Sequence, residues 1–164
     1  MQSDHNYKND YEVFEQVERS SSQNQKDEVA TYKILSFRSI APEQYKSLVF
    51  ATWLNSLRYG NEVYKHISQD SYYKIYSKYI DNLLKRPMSR LRIAVLSEDE
   101  DVTFGWSVDE GDVLHYVFVK KDFRQNGIGT QLVSKDIKTF SHLTKIGLSI
   151  WKEKYPEIEF NPFS

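Results

Sequence analysis

The stretch VFVKKDFRQNGIGTQLV, residues 117–133, changes its pattern at two glycines. It begins with the β-branched and aromatic residues typical of a strand, and after Gly127 and Gly129 its apolar residues recur at helical spacing. A strand that turns directly into a helix favours folds in which helices pack on a sheet. Because glycine has no Cβ, the turn also lets another group approach the backbone closely.

Regular periodicity begins at Tyr32 and predicts six elements before the glycines. YKILSFRSI has the composition of a strand, and APEQYKSLVFATWLNSLR and SYYKIYSKYIDNLLK repeat apolar residues at helical spacing. Pro42 suits the first turn of the first helix, and Pro87 ends the second. The strands LRIAVL, VTFGWSV and VLHYVFV follow, and their short connections predict antiparallel neighbours.

After the glycines, the chain predicts two helices and a closing strand. IGTQLVSKDIKTF, residues 128–140, is predicted as one amphipathic helix, with apolar side chains on one side at Ile128, Leu132, Val133, Ile137 and Phe140. A short strand or loop, a last helix in KIGLSIWKEKY and a strand in EIEF complete the order. The order predicts an α+β fold with a central, mostly antiparallel twisted sheet flanked by about four helices.

Composition limits the domain organisation and the class of partner. The 164 residues predict one domain, residues 31–164, preceded by a flexible polar arm at residues 1–30. No cysteine is present, which suits a reducing compartment and indicates a cytoplasmic protein. No apolar run reaches the length of a membrane span, and the start lacks the features of a signal peptide. With 22 Lys+Arg and 23 Asp+Glu, the charge balance argues against nucleic-acid binding.

Three familiar ligand sites do not fit the sequence. The acidic run at residues 98–101 lies in a polar turn, where carboxylates are usually solvated, so no metal site is predicted. A P-loop needs Lys and Ser or Thr directly after its second glycine, but TQLV follows Gly129. A dinucleotide fingerprint needs a third glycine where this chain has Leu132. What remains is an anion site on the free N–H groups of the helix start, with Lys120, Lys121 and Arg124 beside it.

RQNGIG, residues 124–129, resembles the acetyl-CoA motif of the Gcn5-related N-acetyltransferase (GNAT) superfamily. That motif has Arg or Gln, two further residues, Gly, any residue, and Gly or Ala. LHYVFVKKDF before it looks like the fourth strand of the family, and the resemblance covers roughly residues 32–161. Residue usage looks compatible with a small bacterial or bacteriophage member, in the cytoplasm of a bacterium or of a phage-infected host.

The resemblance implies acetyl-CoA as co-substrate and a fourth and fifth strand that splay apart to admit it. The main chain of Val117, Phe118 and Val119 would pair with the pantetheine arm, as an added strand pairs with a sheet edge. The segment that would hold the pyrophosphate consists of Arg124, Gln125, Asn126, Gly127, Ile128, Gly129 and Thr130. The alternative is an ordinary tight turn between a strand and a helix.

Catalysis in this family is direct attack of an amine on the thioester, which needs a base, an oxyanion donor and a proton donor. On the fourth strand, His115 is the candidate base, and a histidine that only packs on the sheet is the alternative. The N–H of Val119 would be the oxyanion donor. The family commonly carries its acid as a tyrosine on the last helix, where this chain has Trp151. Tyr155, one turn further, is the candidate donor, and a packing residue at the helix end is the alternative.

Two functional hypotheses follow from the resemblance. The first is an acyl-CoA-dependent N-acetyltransferase that acts on a primary amine of a small molecule or a protein. The second is a catalytically inactive acetyltransferase-like module with an interaction or assembly role. Trp151 favours the second hypothesis, and the intact RQNGIG favours the first. Neither hypothesis excludes a homodimer.

Overall fold

The computed structural model describes residues 31–38 and 41–164. The arm predicted for residues 1–30 lies outside the described residues. Tyr32–Ser164 forms one compact unit built on a mixed sheet. No helix within the described ranges has the length and apolar character needed to cross a membrane.

The sheet follows the order of the chain from one edge to the other. Its strands are β1 (Tyr32–Arg38), β2 (Ser89–Leu96), β3 (Thr103–Glu110), β4 (Val113–Val119), β5 (Thr139–Phe140) and β6 (Glu159–Phe160). Neighbours from β1 to β4 are antiparallel, whereas β4–β5 and β5–β6 are parallel. Gly111, in the turn between β3 and β4, has a φ of 63°, which a residue with a Cβ rarely adopts. The three antiparallel strands predicted from their short connections are confirmed.

Four α-helices lie within the described residues: α1 (Glu43–Gly60), α2 (Gln69–Leu84), α3 (Ile128–Leu132) and α4 (Lys145–Lys154). Pro42 directly precedes α1, because its ring fixes a backbone angle suited to a helix start and its missing N–H costs nothing there. Side chains cap the next two long helices. The hydroxyl of Ser68 accepts the N–H of Ser71 at α2, and that of Thr144 accepts the N–H of Gly147 at α4. The architecture confirms the α+β class.

The largest hydrophobic cluster joins α1 and α2 to one face of the sheet. Trp53 of α1 is fully buried at its centre, stacked on Tyr116 with ring centroids 5.0 Å apart and tilted against Trp106 at 5.5 Å. Tyr72, Ile80, Leu83 and Leu84 of α2 are buried in the same cluster. The apolar stripe predicted for α2 therefore forms core, with the rings of Tyr76 and Tyr79 at its half-buried margin.

The other face of the sheet carries α3. Ile128 and Leu132 of this short helix pack against Ala94 and Phe104 in a separate cluster. Arg92 and the hydroxyl of Ser107 both donate to the carbonyl oxygen of Leu132, at 2.9 and 2.8 Å. These two bonds hold the last turn of α3 on the sheet, because they satisfy a carbonyl that has no partner inside the helix.

The prediction of one helix over residues 128–140 is wrong. α3 ends at Leu132, and a turn follows in which the N–H of Ile137 donates to the carbonyl oxygen of Ser134 at 3.4 Å. Ile128 lies in the α3 cluster, whereas Ile137 and Phe140 pack with Leu114 and Ile158 in a third cluster. The apolar spacing of a helix is thus divided between two clusters, and Thr139–Phe140 pairs as β5.

Candidate ligand-binding and catalytic site

β4 and β5 separate after two paired residues. Val113 pairs with Thr139 and Leu114 with Phe140, and the last bond between the two segments runs from the N–H of Ser141 to the carbonyl oxygen of Leu114, at 3.1 Å. Among the described residues, no strand pairs with β4 on this side beyond Leu114. The predicted splay is confirmed, and it leaves a gap along residues 115–119.

Alternation along β4 decides which main-chain groups face this gap. The N–H of Lys120 donates to the carbonyl oxygen of Phe104 at 2.9 Å, and in an antiparallel ladder every second residue points to the same neighbour. Phe118, opposite Trp106, therefore directs its N–H and C=O toward β3. Val117 and Val119 direct theirs toward the gap. The main-chain pairing predicted for Phe118 thus has no support in the ladder, whereas Val117 and Val119 are placed for it.

The glycine turn follows this open edge after a short 3-10 helix at Lys121–Phe123. Gln125 and Gly127 have φ values of 67° and 77°, and Gly127 directly precedes α3. No hydrogen bond between described residues uses the N–H groups of residues 125–130 as donors. The side chain of Arg124 turns back to donate from Nε to the carbonyl oxygen of Val119, at 2.9 Å. The open strand edge and a group of unpaired N–H donors therefore adjoin.

Open space surrounds the glycines. A Cβ built on Gly127 would have no atom within 4 Å, and one on Gly129 would lie 3.7 Å from the Cγ2 of Val119, an ordinary contact. The packing of this chain therefore does not require the absence of a side chain at position 129. α3 has only five residues, so its dipole is small, and the attraction expected for an anion comes from the N–H groups and the nearby lysines.

His115 lies at a β-bulge. Val108 pairs with Tyr116 while Asp109 pairs with Leu114, so His115 is an extra residue in β4. Its side chain is 1% exposed. Nδ1 lies 3.1 Å from the hydroxyl of Tyr79 and 3.0 Å from that of Ser141, so the ring points to the face covered by α2.

Burial keeps the His115 ring uncharged. It lowers the pKa of His115 to about 4, against the opposing effect of the Glu110 carboxylate. Nε2 of His115 is buried without a hydrogen-bond partner and lies 3.8 Å from Oε2 of Glu110. A neutral imidazole at pH 7 can accept a proton, although a pKa this low makes it a weak base.

Tyr155 belongs to a different hydrophobic cluster from α3, the helix that follows the glycine turn. It follows the last residue of α4, and its ring packs edge-on against Phe140 at 6.2 Å in the third cluster. Trp151 of α4 donates its indole N–H to the carbonyl oxygen of Ile158 at 2.6 Å, which ties α4 to the segment before β6. These contacts favour the packing alternative for Tyr155.

Three polar residues of the site were not predicted from the sequence: Tyr79, Ser141 and His142. The hydroxyl of Ser141 lies 2.8 Å from Nδ1 of His142, which extends the contacts of His115. Burial, followed by the influence of His115, lowers the pKa of His142 to about 4. The only feature of the sequence that could have indicated two of them is the adjacent pair Ser141 and His142, directly after the apolar periodicity of residues 128–140.

The lowered pKa values of His115 and His142 predict a loss of stability in weak acid. Each has its pKa lowered from 6.5 to about 4 in the folded protein, so the unfolded chain binds more protons between these pH values. The free energy of unfolding is therefore highest above pH 6.5 and decreases as the pH falls toward 4. We expect a decrease of about 1.4 kcal/mol per pH unit for each histidine, measured by urea unfolding over this range.

Matched variants separate this effect from the protonation of carboxylates. His115→Gln and His142→Gln should each reduce the pH slope of stability by about 1.4 kcal/mol per unit, whatever their stability at pH 8. His66→Gln removes an exposed histidine and should leave the slope unchanged. Equal slopes in all four proteins would contradict the prediction.

Comparison with known proteins yields structural likeness alone. No family model matches the sequence, and no curated protein matches it. Among solved structures, the chain is similar to YjaB from Escherichia coli, with 21% identity, a TM-score of 0.42, 65% of this chain covered and only 64% of YjaB.

Two further solved structures carry acetyltransferase names. A putative acetyl transfer enzyme from Pyrococcus furiosus has 16% identity and a TM-score of 0.47, with 80% of each chain covered. The aminoglycoside N-acetyltransferase AAC(6')-Iy in complex with CoA has 13% identity and a TM-score of 0.45, with 82% of this chain and 91% of that one covered.

Proposed function

We propose that residues 31–164 form an acetyl-CoA-dependent N-acetyltransferase of the Gcn5-related type. The observation that carries the proposal is the continuity of the open β4 edge with the unpaired N–H groups of residues 125–130. The RQNGIG motif lies within this turn. A cytoplasmic location, which the lack of cysteine favours, is part of the proposal.

The open edge of β4 and the N–H groups of residues 125–130 together form a surface that suits a ligand with two chemically different parts. An extended arm with amide groups can pair with the outward N–H and C=O groups of Val117 and the N–H of Val119. A pyrophosphate can accept hydrogen bonds from the N–H groups of residues 125–130, with Lys120 and Arg124 adding screened attraction. Coenzyme A has both parts in this order, whereas a plain nucleotide lacks the amide arm.

The reaction proposed is transfer of the acetyl group to a primary amine of a small molecule or a protein. The amine nitrogen attacks the thioester carbon, the C–S bond breaks, and one proton leaves the amine while the thiolate gains one. His115, at the inner end of the gap, stays the predicted base, and its neutral ring is in the form that accepts a proton. Tyr155 stays the predicted donor, although its ring packs in the third cluster.

Isothermal titration with acetyl-CoA and with CoA tests the proposal directly. We expect binding in the micromolar range for both ligands and much weaker binding of ADP, which lacks the pantetheine arm. Screening of amines for release of free thiol then identifies the acceptor. No heat with either ligand at millimolar concentration would overturn the proposal.

A second candidate function is an acetyltransferase-like module without turnover. The residue that favours it is Trp151, which the resemblance aligns with the family's tyrosine and whose indole N–H donates to the carbonyl oxygen of Ile158. An indole N–H cannot serve as the acid for a leaving thiolate. CoA binding without acetyl transfer to any amine of a broad panel would support this function over the enzyme.

A further inference from the structure

Four polar side chains form a continuous group at the His115 end of the gap, next to the point where β4 and β5 separate. They are Tyr79, His115, Ser141 and His142. Tyr79 and Ser141 both lie within hydrogen-bond distance of Nδ1 of His115, at 3.1 and 3.0 Å. Ser141 also lies 2.8 Å from Nδ1 of His142. The group thus connects a ring on β4 to a ring just beyond β5, across the point where the two strands separate.

The position of the group follows from the sheet. His115 is the first residue of β4 without a partner toward β5, and Ser141 makes the last bond between the two segments. His142 comes next and is half-buried, with its ring 6.1, 6.0 and 5.1 Å from the rings of Trp53, Tyr76 and Tyr79. Any arm that pairs with Val117 and Val119 therefore ends near these two imidazoles.

Nδ1 of His115 has one lone pair, so it accepts one hydrogen, from Tyr79 or from Ser141. In the arrangement in which Ser141 donates, the hydrogens from His115 to His142 all point in one direction. If Nε2–H of His115 faces the Glu110 carboxylate at 3.8 Å, its Nδ1 accepts the hydroxyl hydrogen of Ser141. The oxygen of Ser141 then accepts Nδ1–H of His142. A histidine that donates from Nδ1 carries its lone pair on Nε2. His142 is then left with an unprotonated Nε2, the atom that can act as a base.

We infer that His142 is the base that takes the proton from the acceptor amine, and that Ser141 and His115 position it and relay its charge. The inference rests on the proposed function and names a base other than the one predicted from the sequence. As the amine attacks, its proton moves to Nε2 of His142. Nδ1–H of His142 passes to Ser141, whose own hydrogen passes to Nδ1 of His115. The positive charge ends beside the Glu110 carboxylate.

A carboxylate at the far end of this group partly offsets the cost of burying the transferred charge. Glu110 attracts a charged His115, although Arg86, 2.7 Å from the same carboxylate, reduces that attraction. The rings that face His142 from α1 and α2 are uncharged at pH 7: the indole of Trp53 does not ionise, and burial raises the pKa of Tyr76 and Tyr79 above the ordinary value of 10.0. The base therefore stays neutral until a proton arrives, and the charge it receives has a carboxylate at the far end of the relay.

Bromoacetyl-CoA tests the position of His142 without knowledge of the acceptor. When a nucleophile lies at the thioester, its lone pair attacks the CH2 carbon, a C–N bond forms and bromide leaves. We expect mass spectrometry to find the added group on Nε2 of His142, with protection by excess CoA. The labelling rate should stay nearly constant from pH 8 to 5, because burial lowers the pKa of His142 to about 4, whereas free imidazole loses reactivity below about pH 6.5.

Variants test the relay separately. Ser141→Ala should lower the labelling rate at His142 about tenfold, because Nδ1 loses the partner that keeps the lone pair on Nε2. Ser141→Thr retains a hydroxyl and should restore most of the rate, which a purely packing role would not predict. His142→Gln should lose the label and still bind acetyl-CoA. His66→Gln is the matched control and should label as the unaltered protein does.

The outcomes distinguish the inference from the function on which it rests. Acetyl-CoA binding with alkylation elsewhere, or with no alkylation, would overturn the role of His142 and leave the proposed function standing. Labelling of His142 at equal rates in the unaltered protein and Ser141→Ala would overturn the relay. Absence of any CoA binding would overturn the proposed function itself.

Discussion

Gly129→Glu should reduce the affinity for acetyl-CoA at least about a hundredfold while the protein stays folded. The new carboxylate lies where the proposed pyrophosphate accepts N–H groups, and two like charges about 4 Å apart repel by about 4 kcal/mol near a protein surface. The backbone tolerates the change, since Gly129 has no positive φ and its Cβ would meet only the Cγ2 of Val119, at 3.7 Å. Isothermal titration with acetyl-CoA measures the loss.

Gln131→Glu is the matched control for charge. Gln131 is exposed on the same short helix, and its N–H is already bonded to the carbonyl oxygen of Gly127 at 3.1 Å. The Gln131→Glu variant adds the same carboxylate and should change the affinity for acetyl-CoA by less than about fivefold. Unaltered acetyl-CoA affinity in folded Gly129→Glu would contradict the proposed pyrophosphate site at residues 125–130. The main support for the proposed function would then be lost.

Gly105→Ala should destabilise the protein by about 3 kcal/mol. Gly105 of β3 lies opposite Val119, and a Cβ there would come within 2.5 Å of the carbonyl oxygen of Phe118 and 3.1 Å of the Cα of Val119. Both contacts are with backbone, so the strand itself has to shift, at the upper end of the cost of overpacking. Urea unfolding should show a lower midpoint with an unchanged slope.

Gly105→Ala should also weaken acetyl-CoA binding, because the backbone that has to shift, at Phe118 and Val119, belongs to the open edge of β4. Gly147→Ala is the control: its Cβ would lie 3.4 Å from the Leu143 side chain, inside α4. Alanine is a better helix former than glycine, so this variant should be as stable as the unaltered protein or more stable by up to about 1 kcal/mol. Equal stability of the two variants would contradict the close approach of β3 and β4.

Local patterns were sufficient for most of the fold. β-branched residues with short connections predicted the antiparallel strands β2 to β4, and helical spacing predicted α1 and α2, because each pattern reports which face of one element is buried. The strand, the two glycines and RQNGIG identified the segment at residues 117–130. The bounds of the proposed ligand surface thus came from neighbouring residues in the chain.

Contacts between distant residues decided the rest. α3 stops at Leu132 because its apolar neighbours serve two clusters, and helical spacing alone does not distinguish one buried face from two. Whether a strand residue faces its partner or a gap depends on register, which separates Phe118 from Val117 and Val119. Tyr79, Ser141 and His142 meet His115 from separate elements. Sequence by itself therefore determined most of the elements and the glycine turn, whereas only the tertiary structure decided where α3 ends and placed the polar groups, because their partners are far apart along the chain.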